Sequence, residues 1–252
     1  MPRFASYVIC TSPRSGSTLL CRLLAATGVS GNPGSHFHRP DIEAWLRSFS
    51  LERLEGESER DCLFRILEAA KAKGSLDTGM FGLRMQRGSF PFFISRLGMM
   101  FPEAASERAR IESAFGPTLF IHLTRLDKVE QAVSCERARQ TGLWHRARDG
   151  SDIERLEPVS AAGYDGRVLR AQYDEFIAFD RAWEAWFAAE GIVAHHITYE
   201  ALSAAPAETL ADLLDALGLS RDHAEGIKPD IAKLADAISR EWVARFRAEN
   251  AL

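Results

Sequence analysis

The sequence predicts an α/β fold: a parallel sheet flanked by helices, a single domain over residues 1–252 with helical insertions. Three observations carry this. Short apolar runs of strand length, such as Tyr7-Val8-Ile9-Cys10 and Leu119-Phe120-Ile121-His122-Leu123, alternate with stretches whose apolar residues recur at helical spacing. The connections between the runs are long, as parallel strands require. The 252 residues are 46% apolar, enough for one full core, and no repeat or low-complexity linker divides them.

The elements follow in order. The first strand is residues 6–11. A helix over residues 15–27 is stopped by Gly28, because glycine accepts the left-handed turn that ends helices. Residues 29–40 are loop, punctuated by Gly31, Pro33, Gly34 and Pro40. Asp41 caps a helix through Phe49. Ser58, with Asp61 three residues on, caps another that reaches Lys73. A second strand is expected at 80–85, and the strongly apolar 90–100 is either helix or buried segment. The third strand, 117–124, reads as fully buried, with a long helix over 127–148 and polar loop over 150–166. Between 167 and 190, Leu169, Tyr173, Phe176, Ile177, Phe179, Trp183, Trp186 and Phe187 keep helical spacing, so this aromatic row is core rather than a sugar platform. A fourth strand at 192–199, a helix at 206–217 stopped by Gly218, and a last helix from Pro229 or Asp230 to Glu249 complete the chain.

The net charge of −4 argues against a nucleic-acid partner, which a strong basic excess would mark. Any anion site must come from local placement of arginine and lysine. The four cysteines, Cys10, Cys21, Cys62 and Cys135, are scattered and read as free thiols of a reducing cytoplasm. No stretch approaches the ~20 apolar residues of a transmembrane helix, and the N-terminal apolar run is too short for a signal peptide. The expectation is a soluble cytoplasmic protein.

The chemistry begins at Thr11-Ser12-Pro13-Arg14-Ser15-Gly16-Ser17-Thr18, between the first strand and its helix. A polar loop there aims backbone N–H groups at an anion, and the helix N-terminus favours negative charge. This is a P-loop-like arrangement, with a difference. A nucleoside-triphosphate loop carries lysine before its Ser/Thr; position 17 is serine here, and the fixed cation is Arg14.

A second anion site is suggested past the third strand, where Arg125 is followed nine residues later by Ser134. A guanidinium and a hydroxyl on one cleft suit a phosphomonoester. The plainer reading pairs Arg125 with Asp127 or Glu130 and leaves Ser134 on the surface. Two anion sites imply a ligand with two separated phosphate-like groups. One such ligand is 3′-phosphoadenosine 5′-phosphosulfate (PAPS), a sulfuryl donor that needs no metal for its less charged transferring group. Ligands of open parallel sheets sit beyond the carboxyl ends of the strands, so the Arg14 loop, the Arg125 turn and the Tyr199-Glu200 turn should converge.

The chain resembles the bacterial carbohydrate sulfotransferases typified by trehalose 2-sulfotransferase. The stretches that carry this are Ser12-Pro13-Arg14-Ser15-Gly16-Ser17-Thr18-Leu19-Leu20, Ala26-Thr27-Gly28-Val29-Ser30-Gly31-Asn32-Pro33, Phe81-Gly82-Leu83-Arg84-Met85 and Leu123-Thr124-Arg125 with Gln131-Ala132-Val133-Ser134. They continue with Gln140-Thr141-Gly142-Leu143-Trp144, Trp183-Glu184-Ala185-Trp186-Phe187, Ile197-Thr198-Tyr199-Glu200-Ala201-Leu202 and Ala235-Asp236-Ala237-Ile238-Ser239-Arg240-Glu241-Trp242. Each is weak alone; the ordered set is specific.

The resemblance implies PAPS as donor, its 5′-phosphosulfate on Arg14, Ser15, Gly16, Ser17 and Thr18 and its 3′-phosphate on Arg125 and Ser134. It also implies a carbohydrate or glycolipid acceptor beside Gln140, Thr141 and Trp144, a basic residue at Arg84 to stabilise transferring charge, and a possible homodimer. Relatives place a glutamate base shortly after the Gly-x-Pro turn. Here that position holds Ser35, followed by His36-Phe37-His38. A histidine with a pKa of about 6.5 suits proton removal from a hydroxyl, so His36 is the candidate base, with His38 second and a contact to the acceptor. Their rival reading as metal ligands finds no dense ligand cluster. Two alternatives stay open: a small-molecule kinase with a degenerate P-loop, and a nucleotide-binding relative without catalysis. A cysteine-phosphatase loop is excluded, because Arg14 follows Cys10 too closely.

Overall fold

The apolar runs become one parallel sheet in a computed structural model that describes residues 3–146, 149–157, 163–230 and 236–252. Strand β1 (Ser6–Thr11) leads into helix α1 (Ser17–Ala26), which ends before the left-handed Gly28. Helices α2 (Ile42–Ser48) and α3 (Glu59–Ser75) start at the expected caps, where the Asp41 and Ser58 side chains accept backbone N–H groups. Strand β2 (Phe81–Gln86) is followed by α4 (Phe90–Met100), which settles the apolar 90–100 stretch as helix. Helix α5 (Glu107–Phe115) then leads to β3 (Thr118–Thr124) and α6 (Lys128–Thr141).

Two short strands, β4 (Leu143–Arg146) and β5 (Asp152–Arg155), pair antiparallel as a separate hairpin. Helix α7 (Gly166–Ala189), strand β6 (His195–Thr198) and helices α8 (Tyr199–Ala204), α9 (Pro206–Leu217) and α10 (Ala237–Asn250) complete the described chain.

The main sheet has the order β2-β1-β3-β6, every pairing parallel. Successive side chains on a strand point to opposite faces, and β1 uses this to found two cores. Val8 and Cys10 join a layer with α3, α4, α5 and α7, including Leu63, Phe93, Phe115 and Trp183. Tyr7 and Ile9 face the opposite layer, with Leu20 and Leu24 of α1 and Leu213 and Leu217 of α9. Covering both faces is what makes a parallel strand read as continuously apolar. The aromatic row is core as its spacing implied: Phe176, Trp183, Trp186 and Phe187 are buried. The Trp183 indole also donates to the Thr11 carbonyl at 3.0 Å, which fixes the strand end from which the polar loop departs.

The structure corrects several boundaries. The helix expected over 127–148 stops at Thr141, because Gly142 takes a left-handed φ of +72° and the chain turns into the hairpin. Part of the expected polar loop over 150–166 is therefore strand. Helices α5 and α8 were not expected. The start read at Pro229 or Asp230 is not helical there; residues 231–235 lie outside the described part, and α10 begins at Ala237, capped by Asp236. Cys10, Cys21 and Cys62 are buried and Cys135 half-buried, all free. Among the described residues, no helix is long and apolar enough to cross a membrane.

Candidate active site

The loop between β1 and α1 is shaped by two left-handed residues, Arg14 at φ +62° and Gly16 at φ +86°, with Ser15 between them. Such alternation turns successive N–H groups to one side and makes an anion-binding nest. A left-handed arginine costs backbone energy and persists only when its surroundings hold it. Here they do. The Arg14 Nε donates to Ser134 Oγ at 2.9 Å and its Nη1 to the Trp144 carbonyl at 2.5 Å. The Gln131 amide, buried in α6, donates to Ser12 Oγ at 2.9 Å and to the Pro13 carbonyl at 2.7 Å. Thr11 Oγ1 donates to the Leu123 carbonyl at 2.8 Å, and the Ser15 hydroxyl lies 2.5 Å from it.

The loop opens into a cleft of about 1340 Å³ at the carboxyl ends of the strands, as the topology requires. Pro13, Arg14, Gly16, Ser17 and Thr18 form its floor, and Arg125, Tyr199 and Glu200 reach it from the turns after β3 and β6. Six arginines line it (Arg14, Arg84, Arg125, Arg137, Arg240, Arg247) against four carboxylates, so the cleft reverses the sign of the whole chain's charge. Three of those carboxylates are engaged. Glu130 pairs with Arg125 at 2.6 Å, Asp127 with Arg247 at 2.5 Å, and Glu200 accepts the Leu126 and Asp127 N–H groups at 3.1 and 3.3 Å.

Arg125 is 9% exposed, its guanidinium 4.6 Å from the centre of the Tyr199 ring. Its Nε is buried with no partner among the described residues. The rest of the guanidinium is engaged, Nη2 donating to Glu130 at 2.6 Å. Arg14 is held by Ser134 and Arg125 lies beside it, donating to the Arg14 carbonyl at 3.5 Å; the two sequence-predicted anion positions are neighbours in one cleft.

At the other end, Arg84 at the close of β2 donates from Nε to Ser35 Oγ at 2.7 Å and from Nη1 to Thr18 Oγ1 at 2.7 Å. His38, Thr141 and Trp144 also line the cleft.

Three expected site residues are placed elsewhere. The Ser15 side chain is turned inward to Thr11, leaving only its backbone for a ligand. The Gln140 amide donates to Glu136 at 2.6 Å and to the Gly163 carbonyl at 3.0 Å, away from the cleft. His36 lines a separate notch of about 270 Å³ with Asn32, Ser48, Phe49 and Lys73. Its ring stacks on Phe81, centroids 5.9 Å apart, and burial with the Lys73 charge pushes its pKa down to about 4. The cause is local. Gly34 bridges Leu83 of β2 in parallel, so Ser35 and His36 project to opposite sides, Ser35 into the cleft and His36 behind it. A turn, with the His38 N–H on the Ser35 carbonyl at 3.3 Å, then returns His38 to the cleft.

Sequence reasoning passed over Arg137, Arg240, Arg247 and Glu154 as cleft residues. Arg240 and Arg247 stand seven apart on one helix, a same-face spacing that was there to be read. Among the described residues, no group of three His, Cys, Asp or Glu side chains is placed to hold a metal.

The profile of the Stf0 sulphotransferase family matches residues 6–249. The chain belongs to the Stf0 sulfotransferase family. This Stf0 member is 30% identical to the trehalose 2-sulfotransferase of Mycobacterium tuberculosis (strain Erdman), over 96% of its own length and 94% of that protein's. It is 29% identical to the trehalose 2-sulfotransferase of Mycolicibacterium smegmatis, over 97% and 95% of the two chains. It also aligns with a crystal structure of a sulfotransferase from Alicyclobacillus acidocaldarius at 15% identity and a TM-score of 0.47, covering 97% of this chain and 91% of that one.

In this Stf0 member the cleft histidines are held neutral. Burial, then the Arg84 charge, lowers the pKa of His38. Burial and the charges of Arg14, Arg84 and Arg22 push His145, on β4, down to about 3. Burial also lowers the Arg14 guanidinium, opposed chiefly by Cys135.

Proposed function

We propose that this sulfotransferase moves the sulfuryl group of PAPS to a hydroxyl of a carbohydrate or glycolipid, in the cytoplasm and without a metal. The observation that carries this reading is that Arg125, with a buried and unpartnered Nε, lies against the carbonyl of Arg14, whose own side chain is held by Ser134. That arrangement fits a ligand with an anion at each of two neighbouring places. The bound donor supplies a sulfuryl group on a phosphate that leaves as adenosine 3′,5′-bisphosphate.

The residues divide the work. The N–H groups of Ser15, Gly16, Ser17 and Thr18 with Arg14 receive the 5′ end and stabilise charge as it gathers on the leaving phosphate. Arg125 and Ser134 receive the 3′-phosphate and hold the nucleotide in register. Arg84, tied to Thr18 and Ser35, stands at the acceptor end of the loop. His38, Thr141 and Trp144 line the acceptor side, where Trp144 offers an aromatic face. The trehalose 2-sulfotransferase relatives favour a sugar as acceptor. Serine at position 17 leaves a phosphoryl-transfer reading without the lysine it needs.

The test is transfer itself. Purified protein is given PAPS labelled in the sulfuryl group, with trehalose, glucose and a glycolipid extract as acceptors. The reading predicts label in a sugar or glycolipid, with one adenosine 3′,5′-bisphosphate released per label transferred. Absence of labelled product from every acceptor, with phosphorylated sugar formed from Mg·ATP, contradicts it.

A further inference from the structure

We propose that His145, on strand β4 of the hairpin, takes the proton from the acceptor hydroxyl, and that Glu154 across the hairpin positions its ring and stabilises the charge it gains. This rests on the sulfuryl-transfer reading above.

A hydroxyl attacking sulfur must lose its proton as the new bond forms, so a base has to stand near the loop. Ser35 reaches the cleft, but a serine hydroxyl is no base at neutral pH, and it accepts a hydrogen bond from Arg84. Glu130, Asp127 and Glu200 are engaged, as described above. That leaves His38, His145 and Glu154. Of the two histidines, His145 has the carboxylate within reach: its Nε2 lies 3.5 Å from Glu154 Oε2, whereas Glu154 acts on His38 only through its charge. The same nitrogen lies 3.0 Å from Thr18 Oγ1, inside the donor loop. Thr18 accepts from Arg84 Nη1 at 2.7 Å, so its own proton is free to donate to Nε2. That arrangement keeps the proton on Nδ1 and leaves the Nε2 lone pair on the Thr18 hydroxyl until the acceptor hydroxyl takes Thr18's place as donor.

The charged groups around the ring explain when it acts. Arg14 from the loop, Arg22 from α1 and Arg84 from β2 add to burial in holding it neutral, with the Glu154 carboxylate of β5 3.5 Å from Nε2. An anionic donor set against Arg14 and Arg84 cancels much of that repulsion. The ring then becomes a stronger base only when the donor is present, which disfavours proton uptake by an unloaded site. In the transfer, the acceptor oxygen bonds to sulfur as the bond from sulfur to the phosphate oxygen breaks. The hydroxyl proton goes to Nε2. The electron pair leaves on the 5′-phosphate, which faces Arg14 and the loop N–H groups. Glu154, half exposed, then relays the proton to water.

Two measurements test this. In the wild type, the His145 ring is titrated by NMR with and without adenosine 3′,5′-bisphosphate. Its pKa is expected to rise from about 3 toward neutrality in the complex; an unchanged value overturns the proposal. Second, bisphosphate release from PAPS is followed with trehalose, or water alone, as acceptor. His145→Gln is expected to lose roughly 100-fold or more in turnover, with bisphosphate affinity kept. Glu154→Gln is expected to move the acidic limb of the pH profile of kcat/KM downward, which a merely structural role would not do. A His145→Gln protein that binds bisphosphate and turns over like the wild type overturns this proposal alone. A wild type that neither binds the bisphosphate nor releases it overturns the sulfuryl-transfer reading with it.

Discussion

The ring of Tyr199 is packed so closely on Gly16 that a Cβ there would lie 2.5 Å from Cδ2. The face of the same ring carries the Arg125 guanidinium, 4.6 Å from its centre. One aromatic ring thus fixes the spacing between the loop after β1 and the cation after β3. Gly16 is doubly constrained, by this contact and by its left-handed φ of +86°.

Gly16→Ala is therefore expected to damage both stability and ligand binding. A left-handed alanine costs about 1–2 kcal/mol before any clash, a fall in Tm of roughly 2–8 °C for a chain of this size. Thermal melting reads the first effect. Calorimetry with adenosine 3′,5′-bisphosphate reads the second, expected as at least a tenfold weaker Kd, on the order of 1.4 kcal/mol.

Arg125 and Ser134 should discriminate ligands rather than weaken all of them. A hydrogen bond to a charged group is worth about 1.5–3 kcal/mol, so Arg125→Met is expected to weaken the bisphosphate roughly 10- to 100-fold. Ser134→Ala should do so by a smaller factor. Binding of adenosine 5′-monophosphate, which lacks the 3′ group, should change little. Equal losses for the two nucleotides would remove the 3′-phosphate from these residues.

His122 governs acid stability rather than chemistry. It is buried on β3, with both ring nitrogens unpartnered among the described residues and its centroid 5.4 Å from that of His196. Burial, then the His196 charge, holds its pKa down at about 4. The unfolded chain, with a pKa of about 6.5, binds the proton first. The stability this residue confers is therefore full above about pH 6.5 and is lost as the pH falls toward 4. His36, also near 4, acts in the same direction. His122→Leu should flatten the acid side of a stability–pH curve from urea unfolding, by roughly 2 kcal/mol at pH 5. A curve parallel to wild type would show that the ring is not held neutral.

The hairpin depends on Gly142. A Cβ there would lie 2.0 Å from the Leu156 carbonyl oxygen, at a φ of +72°. The Leu156 N–H also donates to the Gly142 carbonyl at 2.7 Å. Gly142→Ala should displace β4 and β5, and with them Trp144 and His145. The expected result is a loss of transfer of about tenfold or more in kcat/KM, on the order of 1.4 kcal/mol, with a smaller loss of bisphosphate binding.

The sequence made some of this legible and hid the rest for physical reasons. The strand, the Arg14 loop and its helix were readable because a buried apolar run ends abruptly in Pro, Arg, Gly and Ser. Arg125 and Ser134 were readable because a strand end and the following helix share one side. The hairpin was not: Leu143-Trp144-His145-Arg146 and Asp152-Ile153-Glu154-Arg155 are short and largely polar, and β5 is exposed along its length. Helix α5 buries only Ile111, Ala114 and Phe115, too few to announce a period. Helix α8 follows β6 with no intervening turn residue. His36 was misplaced because composition puts Ser35, His36 and His38 together, whereas the Gly34 bridge to β2 decides which of them enters the cleft.

The central claim is that one cleft holds a nucleotide by two anionic ends, without a metal-bound triphosphate. Calorimetry with adenosine 3′,5′-bisphosphate, adenosine 5′-monophosphate and Mg·ATP tests it most directly. The account predicts that the bisphosphate binds at least about tenfold more tightly than the monophosphate, that magnesium leaves this unchanged, and that Mg·ATP binds more weakly than either. Equal affinity for the bisphosphate and the monophosphate, or tightest binding by Mg·ATP, would contradict it.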